Sequence, residues 1–175
     1  MKLITHGCRG SSPISSSEMM KYGGNTTCFE LVTDEFQIFF DTGSGFQNAI
    51  LNPNKDILVL FSHFHHDHLQ GLAFNKYLLK PETKTFISSA LVNSEELNKI
   101  VRRYFSGVFF PLDLFDNLDN VTFLNFSEAQ RTVKGGLDIE AIKLNHPGGS
   151  YGYSVTCLLY TSPSPRDGLL SRMPS

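Results

Sequence analysis

Apolar positions along the chain follow two periods. The run ILVLF at 57–61 is apolar at every position, the pattern of a strand covered on both faces. A short apolar strand is expected at 2–5. Two β-rich runs, 26–33 and 36–41, flank Asp34-Glu35 and predict a hairpin. Further strands are expected at 84–88, 121–126, 137–144 and 151–156, with Gly135-Gly136 as a turn before the run at 137. A helical period predicts a short helix at 44–51, stopped by Asn52-Pro53, and another over 69–79. Ser94 is the expected cap of a third helix, with Leu97, Ile100, Val101, Tyr104 and Phe105 on one face and Gly107 as its end. Residues 7–25 are rich in Gly and Ser and read as a long loop, a length that often signals function. Strands mixed with helices, with neighbouring strands antiparallel, predict a layered α/β architecture. No repeat and no domain linker interrupts it.

Composition narrows the classes. The chain has 175 residues, 41% of them hydrophobic, which suits one domain with a real core. Fifteen basic and 17 acidic residues give a charge of −2. There is no basic footprint for non-specific nucleic-acid binding, although an enzyme could still engage a nucleic acid through a metal site. No apolar run approaches the roughly 20 residues of a membrane span. Three cysteines do not make a disulfide framework. The N-terminus MKLITHGCRG has too few apolar residues for a signal-peptide core. Together these predict a reducing, cytoplasmic setting with no membrane partner.

The segment 157–175, CLLYTSPSPRDGLLSRMPS, breaks the pattern. Periodicity stops, and Pro163, Pro165 and Pro174 fall among Ser and Gly. A disordered tail is the plain reading. Back-translation gives a sharper one: the bases that encode CLLYTSPSPRD, and then SRMPS, resemble a transposon-based sequencing adapter read in one frame. The expected division is therefore a natural domain at 1–156 and a translated adapter, non-native, at 157–175. Such scars are left out of fold reasoning.

The chemistry concentrates in Ser62-His63-Phe64-His65-His66-Asp67-His68, directly after the buried strand. Its pattern is H-x-H-x-D-H. Imidazole and carboxylate suit zinc and similar transition metals. Two histidines spaced by two can clamp one ion from a turn, and the adjacent Asp and His can face a second ion. The plain alternative is a histidine-rich surface loop that picks up metal adventitiously. Its position at a strand end, near a second acidic strand end at Phe40-Asp41-Thr42-Gly43, favours a built site. Far along the chain, Asn145-His146-Pro147-Gly148-Gly149 offers a third histidine leaving a strand.

This loop resembles that of the metallo-β-lactamase fold superfamily. Gly10-Ser11, Tyr22-Gly23-Gly24-Asn25-Thr26-Thr27, Asp41-Thr42-Gly43 and the run from His146 to Tyr153 are similar to one branch of it. That branch contains phosphoribosyl cyclic phosphodiesterase and the tRNA 3′-processing endonucleases. The resemblance covers 1–156. It implies an α/β fold, a four-layer αβ/βα sandwich whose second half is largely missing from this sequence. It implies that His63, His65 and His146 hold a first metal, and that Asp67 and His68 bind a second. Asp67 would also stand beside the hydroxide, which makes it the catalytic candidate. Asp41 would fix a ligand through a hydrogen bond. His66 falls at a variable position and is not counted as a ligand, and His6 is expected to be structural. Asn25, Ser150 and Tyr151 are candidates for substrate contacts or, equally, for turn formation. Phe109-Phe110-Pro111 either borders the pocket or packs in the core.

By the same resemblance the cofactors are two divalent ions, zinc first, with manganese or iron as alternatives. The expected activity is hydrolysis by metal-bound hydroxide of a small phosphodiester, cyclic or nucleotide-like, with nucleic acid as the other substrate class. Thioester hydrolysis and iron-dependent sulfur oxidation are alternatives on the same fold. The family's bridging Asp and final His are absent here, so an inactive metal-binding fragment is the third reading. A homodimer is the expected assembly if the chain self-associates.

Overall fold

Strand β4 (Asp56–Phe61) organises the molecule. Its side chains alternate between two cores: Ile57, Val59 and Phe61 point to one, Leu58 and Leu60 to the other. Both sets are almost fully excluded from water, as the unbroken apolar run requires. The computed structural model describes residues 1–133 and 136–157.

Six strands form one sheet in sequence order: β1 (Lys2–Gly7), β2 (Cys28–Val32), β3 (Phe36–Phe40), β4, β5 (Thr85–Ser89) and β6 (Val121–Phe123). The first three pair antiparallel, including the expected hairpin from β2 to β3. From β3 to β6 the pairing is parallel. The parallel register ends β3 and β4 side by side, with Phe40 opposite Leu60. In open parallel sheets ligands gather beyond such carboxyl ends, and here both strands run directly into the polar segments singled out in the sequence.

Helices and 3-10 turns cover one face of this sheet. Helix α1 (His66–Leu69) is a single turn, and α2 (Ser94–Tyr104) buries Leu97 and Val101. The other face receives α3 (Phe126–Thr132) and a two-stranded ribbon of β7 (Leu137–Leu144) and β8 (Ser150–Cys157). Ala129 of α3 and Leu137 and Ile139 of β7 pack there on Leu31, Ile38, Leu58 and Leu60. Helix layer, large sheet and ribbon are three layers of the expected αβ/βα sandwich.

Several elements differ from the sequence reading. The helix expected over 69–79 is only α1, followed by a 3-10 turn at Leu72–Phe74. Gly71 explains the break: a Cβ there would sit 2.0 Å from the carbonyl oxygen of Gly43, so two backbones touch where a continuous helix would need side-chain room. Asn75 then takes over with its side chain, which accepts from the Tyr77 N–H at 2.9 Å and replaces a helical bond. The helix expected at 44–51 is a 3-10 turn at Ser44–Asn48. The cap of α2 is Asn93, not Ser94, because its side chain accepts from the Glu96 N–H at 2.9 Å. The strand expected over 121–126 stops at Phe123, and α3 follows unforeseen. Its signal is Asn125 with Glu128 three residues on, a reciprocal capping pair. The first strand of the hairpin starts at Cys28 rather than 26, and β8 runs one residue beyond the expected span at each end. Gly136 forms the expected turn, while Gly135 and the expected adapter-derived segment from 158 onward lie outside the described residues. No described helix is long and apolar enough to cross a membrane.

Candidate metal centre

Asp41 leaves β3 with φ of +60°, a left-handed conformation unusual for a non-glycine residue. It is 4% exposed, and its carboxylate is used completely. Oδ1 accepts from the Ser62 backbone N–H at 2.8 Å. Oδ2 accepts from the Ser62 hydroxyl at 2.7 Å and faces Nδ1 of His68 at 2.7 Å. An ionised carboxylate only accepts, so His68 carries its proton on Nδ1 and leaves Nε2 with a lone pair.

The same logic runs one step further through Ser62. Its single proton goes to Asp41, so its oxygen accepts from Nδ1 of His63, 2.9 Å away. That fixes the tautomer of His63 and leaves its Nε2 as a lone-pair donor. The chain Asp41–Ser62–His63 thus orients a candidate ligand from the residue that precedes the motif. Asp41, expected to fix a ligand through a hydrogen bond, stands within hydrogen-bond distance of Ser62 and His68. The role of Ser62 was not foreseen, and nothing in local spacing signals it.

One turn of α1 sends three adjacent side chains in three directions. His68 turns to Asp41. Asp67 turns to the long first loop, where its Oδ2 accepts from the Ser11 N–H at 2.8 Å. His66 turns outward, its Nδ1 hydrogen-bonded to the Tyr104 hydroxyl. The turn is stitched to the end of β3: Thr42 N–H donates to His68 O and Gly71 N–H to Thr42 O, both at 2.8 Å.

His146 arrives from the other sheet, in the turn between β7 and β8. Gly148 and Gly149, with φ of +81° and +84°, form that turn, and Gly149 N–H closes it on His146 O at 2.9 Å. Tyr151 N–H donates to Ser62 O at 3.0 Å, so the ribbon is bonded to the residue just before His63.

His63, His65 and His146 converge: one nitrogen from each lies within 4.8 Å of the others. His146 Nε2 stands 3.3 Å from His65 Nδ1. Two ligand nitrogens at tetrahedral zinc would be about 3.4 Å apart, from a Zn–N bond of about 2.05 Å. The donor set therefore fits a divalent ion. His63 is buried, and burial and the neighbouring imidazoles pull its pKa down to about 4. It is neutral at pH 7, as a ligand must be. Burial works against the charged form of His68 too, but the Asp41 carboxylate more than offsets it and raises its pKa. Burial likewise opposes ionisation of Asp67, yet the Ser11 N–H and His68 hold its carboxyl below the usual range.

Asp67 and His68 adjoin this cluster without joining it. Asp67 Oδ2 lies 3.5 Å from His68 Nε2, and the His68 ring is 4.1 Å from that of His63. Ser150 is buried at the start of β8, and Tyr151 is half-buried beside it. Asn25 uses its side-chain oxygen within the loop, accepting from the Ser44 hydroxyl at 3.2 Å. His6 is structural as expected, 2.7 Å from the buried Glu30 carboxylate. Of the pair Phe109-Phe110, Phe110 packs against the core, whereas Phe109 is exposed; both border a groove beside α1.

No family model and no curated protein matches the chain. Solved structures do. The metallo-beta-lactamase fold protein YhfI from Bacillus subtilis is 21% identical, with a TM-score of 0.56 over 88% of this chain and 58% of that one. Human tRNase Z, short form, is 16% identical, with a TM-score of 0.54 over 90% of this chain and 65% of that one. A diphosphatase from the PhnP family is 16% identical, with a TM-score of 0.55 over 87% and 61%. The chain thus has the metallo-β-lactamase fold and spans 58% to 65% of the length of these three structures.

Proposed function

We propose that the chain serves a metal-dependent hydrolase of phosphodiesters, small cyclic or nucleotide-like esters ahead of long nucleic acid. The observation that carries this reading is the convergence of His63, His65 and His146 at the ends of two sheets, with His63 already set in its ligand tautomer. In this reading these three hold a first divalent ion, zinc first with manganese or iron as alternatives, and Asp67 and His68 hold a second. Bound divalent ions supply acidity to water at neutral pH and offset charge on phosphoryl oxygens.

The chain's own residues do the rest. Asp41 and Ser62 keep two imidazoles aimed and proton-free on the inner nitrogen. Asp67 is the catalytic candidate: the Ser11 N–H holds its carboxylate ionised and fixed, so its remaining lone pairs can orient an attacking water. Ser150 and Tyr151 are the substrate contacts best supported by position, since they follow the His146 turn and Tyr151 is tied to Ser62. Asn25, whose side-chain oxygen accepts from the Ser44 hydroxyl, is the third candidate contact. Two similar structures bear the names tRNase Z and diphosphatase, which supports phosphoester chemistry here. A cytoplasmic setting fits Cys8 and Cys28, the two free cysteines outside the expected adapter-derived segment.

The test is turnover of bis(p-nitrophenyl) phosphate by the zinc- or manganese-loaded chain. Release of p-nitrophenol that His63→Ala abolishes supports the reading. Turnover of a thioester without any phosphodiester, or oxygen uptake with iron, would replace it, and a chain that binds metal but turns over nothing is the inactive fragment.

A further inference from the structure

Alternate residues of the ligand loop serve two places. His63 and His65 face the three-histidine cluster, whereas Phe64 and His66 face a groove of about 870 Å³ on the helix side. The loop is the rim between them. That volume lies within the usual range for small-molecule sites, roughly 300–1,000 Å³.

The groove is aromatic. Phe64, Phe74, Tyr104, Phe109 and Phe110 line it, with Leu69 of α1 at its base. Phe74 and Phe109 are 62% and 69% exposed, so their ring faces stand in water. Phe110 is braced edge-on against Phe74 and Phe105, at centroid distances of 5.9 and 5.6 Å. The Phe74 ring is held in place by this contact, and Phe109 adds a second exposed ring to the same groove. The polar complement is narrow: Gln70, and the Tyr104 hydroxyl bonded to His66. Arg103 brings a positive charge, and no carboxylate is among the described lining residues.

We propose that this groove is a subsite for a planar aromatic group on an anionic ester whose reacting phosphoryl group is held at the three histidines. The inference rests on the phosphodiesterase reading and narrows its substrate class to aryl- or nucleobase-bearing esters. Three features select this occupant. The lining is complementary in charge to an anionic ester. The π-faces are complementary in shape and character to a flat ring. The groove also shares its rim with the metal ligands, which puts a bound ring and the reacting centre on one small molecule.

The experiment compares methyl, phenyl and thymidine 5′ esters of p-nitrophenyl phosphate on the full zinc-loaded chain. The leaving group is the same in all three, so the ratios of kcat/KM report recognition of the second group. A phenyl-to-methyl ratio of roughly tenfold or more is expected, the order that one stacked ring supplies. The ratio should fall to within about twofold of unity in a Phe74→Ala/Phe109→Ala variant. The thymidine ester separates a nucleobase subsite from a plain aryl one. Both phenylalanines are exposed, and a thermal melt shows whether the variant still folds. A second arm titrates the metal-free chain with 2-naphthyl phosphate, followed by naphthyl fluorescence. Saturable binding that the double variant loses is expected.

If the esters are not hydrolysed but the naphthyl probe binds and the variant loses it, the phosphodiesterase reading falls and the groove stands. If the esters are hydrolysed with no aryl preference and the probe does not bind, the groove falls and the reading stands. A dimer at assay concentration that the double variant dissociates would assign the groove to a second copy of the chain and overturn the proposal.

Discussion

The Tyr153 hydroxyl donates to the Phe61 carbonyl at 2.8 Å, across 92 residues of sequence. Phe61 ends the strand that leads to His63, and Tyr153 belongs to the ribbon whose turn carries His146. The same hydroxyl accepts from the Ala90 N–H at 3.0 Å, at the end of β5. One phenol therefore ties the ends of β4 and β5 to the ribbon whose turn carries His146. Burial pushes its pKa up to about 12, so it remains a neutral donor over any working pH.

Tyr153→Phe removes this tie while keeping the ring. It leaves the Ala90 N–H without this partner, and the loss of stability should be about 1–3 kcal/mol. Zinc affinity should fall as well, because His146 loses its fixed place relative to His63. A double-mutant cycle with His146→Ala, read as zinc affinity by competition with a chelator, checks this. Coupling between the two sites is expected; additive losses would reduce Tyr153 to a purely structural residue.

Much of this was legible in the chain, and the gaps have physical causes. The buried strand at 57–61 declared itself because a strand covered on both faces leaves no polar position. The H-x-H-x-D-H loop declared itself because so many donors of one kind seldom crowd a strand end without a ligand. The Asp41–Ser62–His63 relay did not, because one serine before a motif has no periodicity to betray it and its role comes from a strand 21 residues away. The helix that broke at Gly71 was equally hidden, since the contact that breaks it is with Gly43, in a different segment. The Phe109 ring was ambiguous for a similar reason: hydrophobicity reads the same whether a ring lines a core or an open groove.

Metal should stabilise the folded chain through the three histidines. A ligand at about 100 times its dissociation constant adds about 2.7 kcal/mol to the folded state. Zinc should therefore raise the melting temperature of the wild-type chain, and a chelator should reverse the rise. His63→Ala should lose most of the gain, while His66→Ala, outside the ligand set, should keep it. Calorimetric melts with and without zinc make the comparison; an equal gain in His63→Ala would exclude that residue as a ligand.

The metal-free chain should lose stability on mild acidification. His63 has a pKa of about 4 in the fold against an ordinary 6.5. Above pH 6.5 both the folded and unfolded imidazoles are neutral, and His63 makes no difference. Between 6.5 and 4 the unfolded chain takes up a proton that the folded one refuses, so stability falls as pH falls. His68 works in the opposite sense. Its raised pKa adds stability that is present at low pH and lost as pH rises through its folded value. Urea melts at pH 6.5, 6.0 and 5.5 should show the His63 decline, and His63→Asn should flatten it over this range, in which few carboxylates titrate.

Asp41→Asn tests the hub of the site with the least change of shape. Asparagine tolerates the left-handed backbone that Asp41 adopts, so the substitution isolates charge from strain. It withdraws the negative charge that raises the pKa of His68 and that receives both protons of Ser62. One carboxylate oxygen becomes an NH₂ group, which cannot accept from any of its present donors. If that group takes the Oδ2 position, it donates where the Ser62 hydroxyl donated, and the serine proton must turn elsewhere. His63 then loses the acceptor that fixes its tautomer. A stability loss of roughly 3 kcal/mol is expected, the scale on which breaking a buried charged pair is felt. The more telling outcome is spectroscopic: ¹⁵N imidazole shifts should show His63 uniquely protonated on Nδ1 in the wild-type chain and a mixture of tautomers in the variant. Zinc affinity should drop by about 10–100-fold, the usual cost of removing a group that orients a ligand. An unchanged tautomer with unchanged affinity would mean that the ring is set by packing alone.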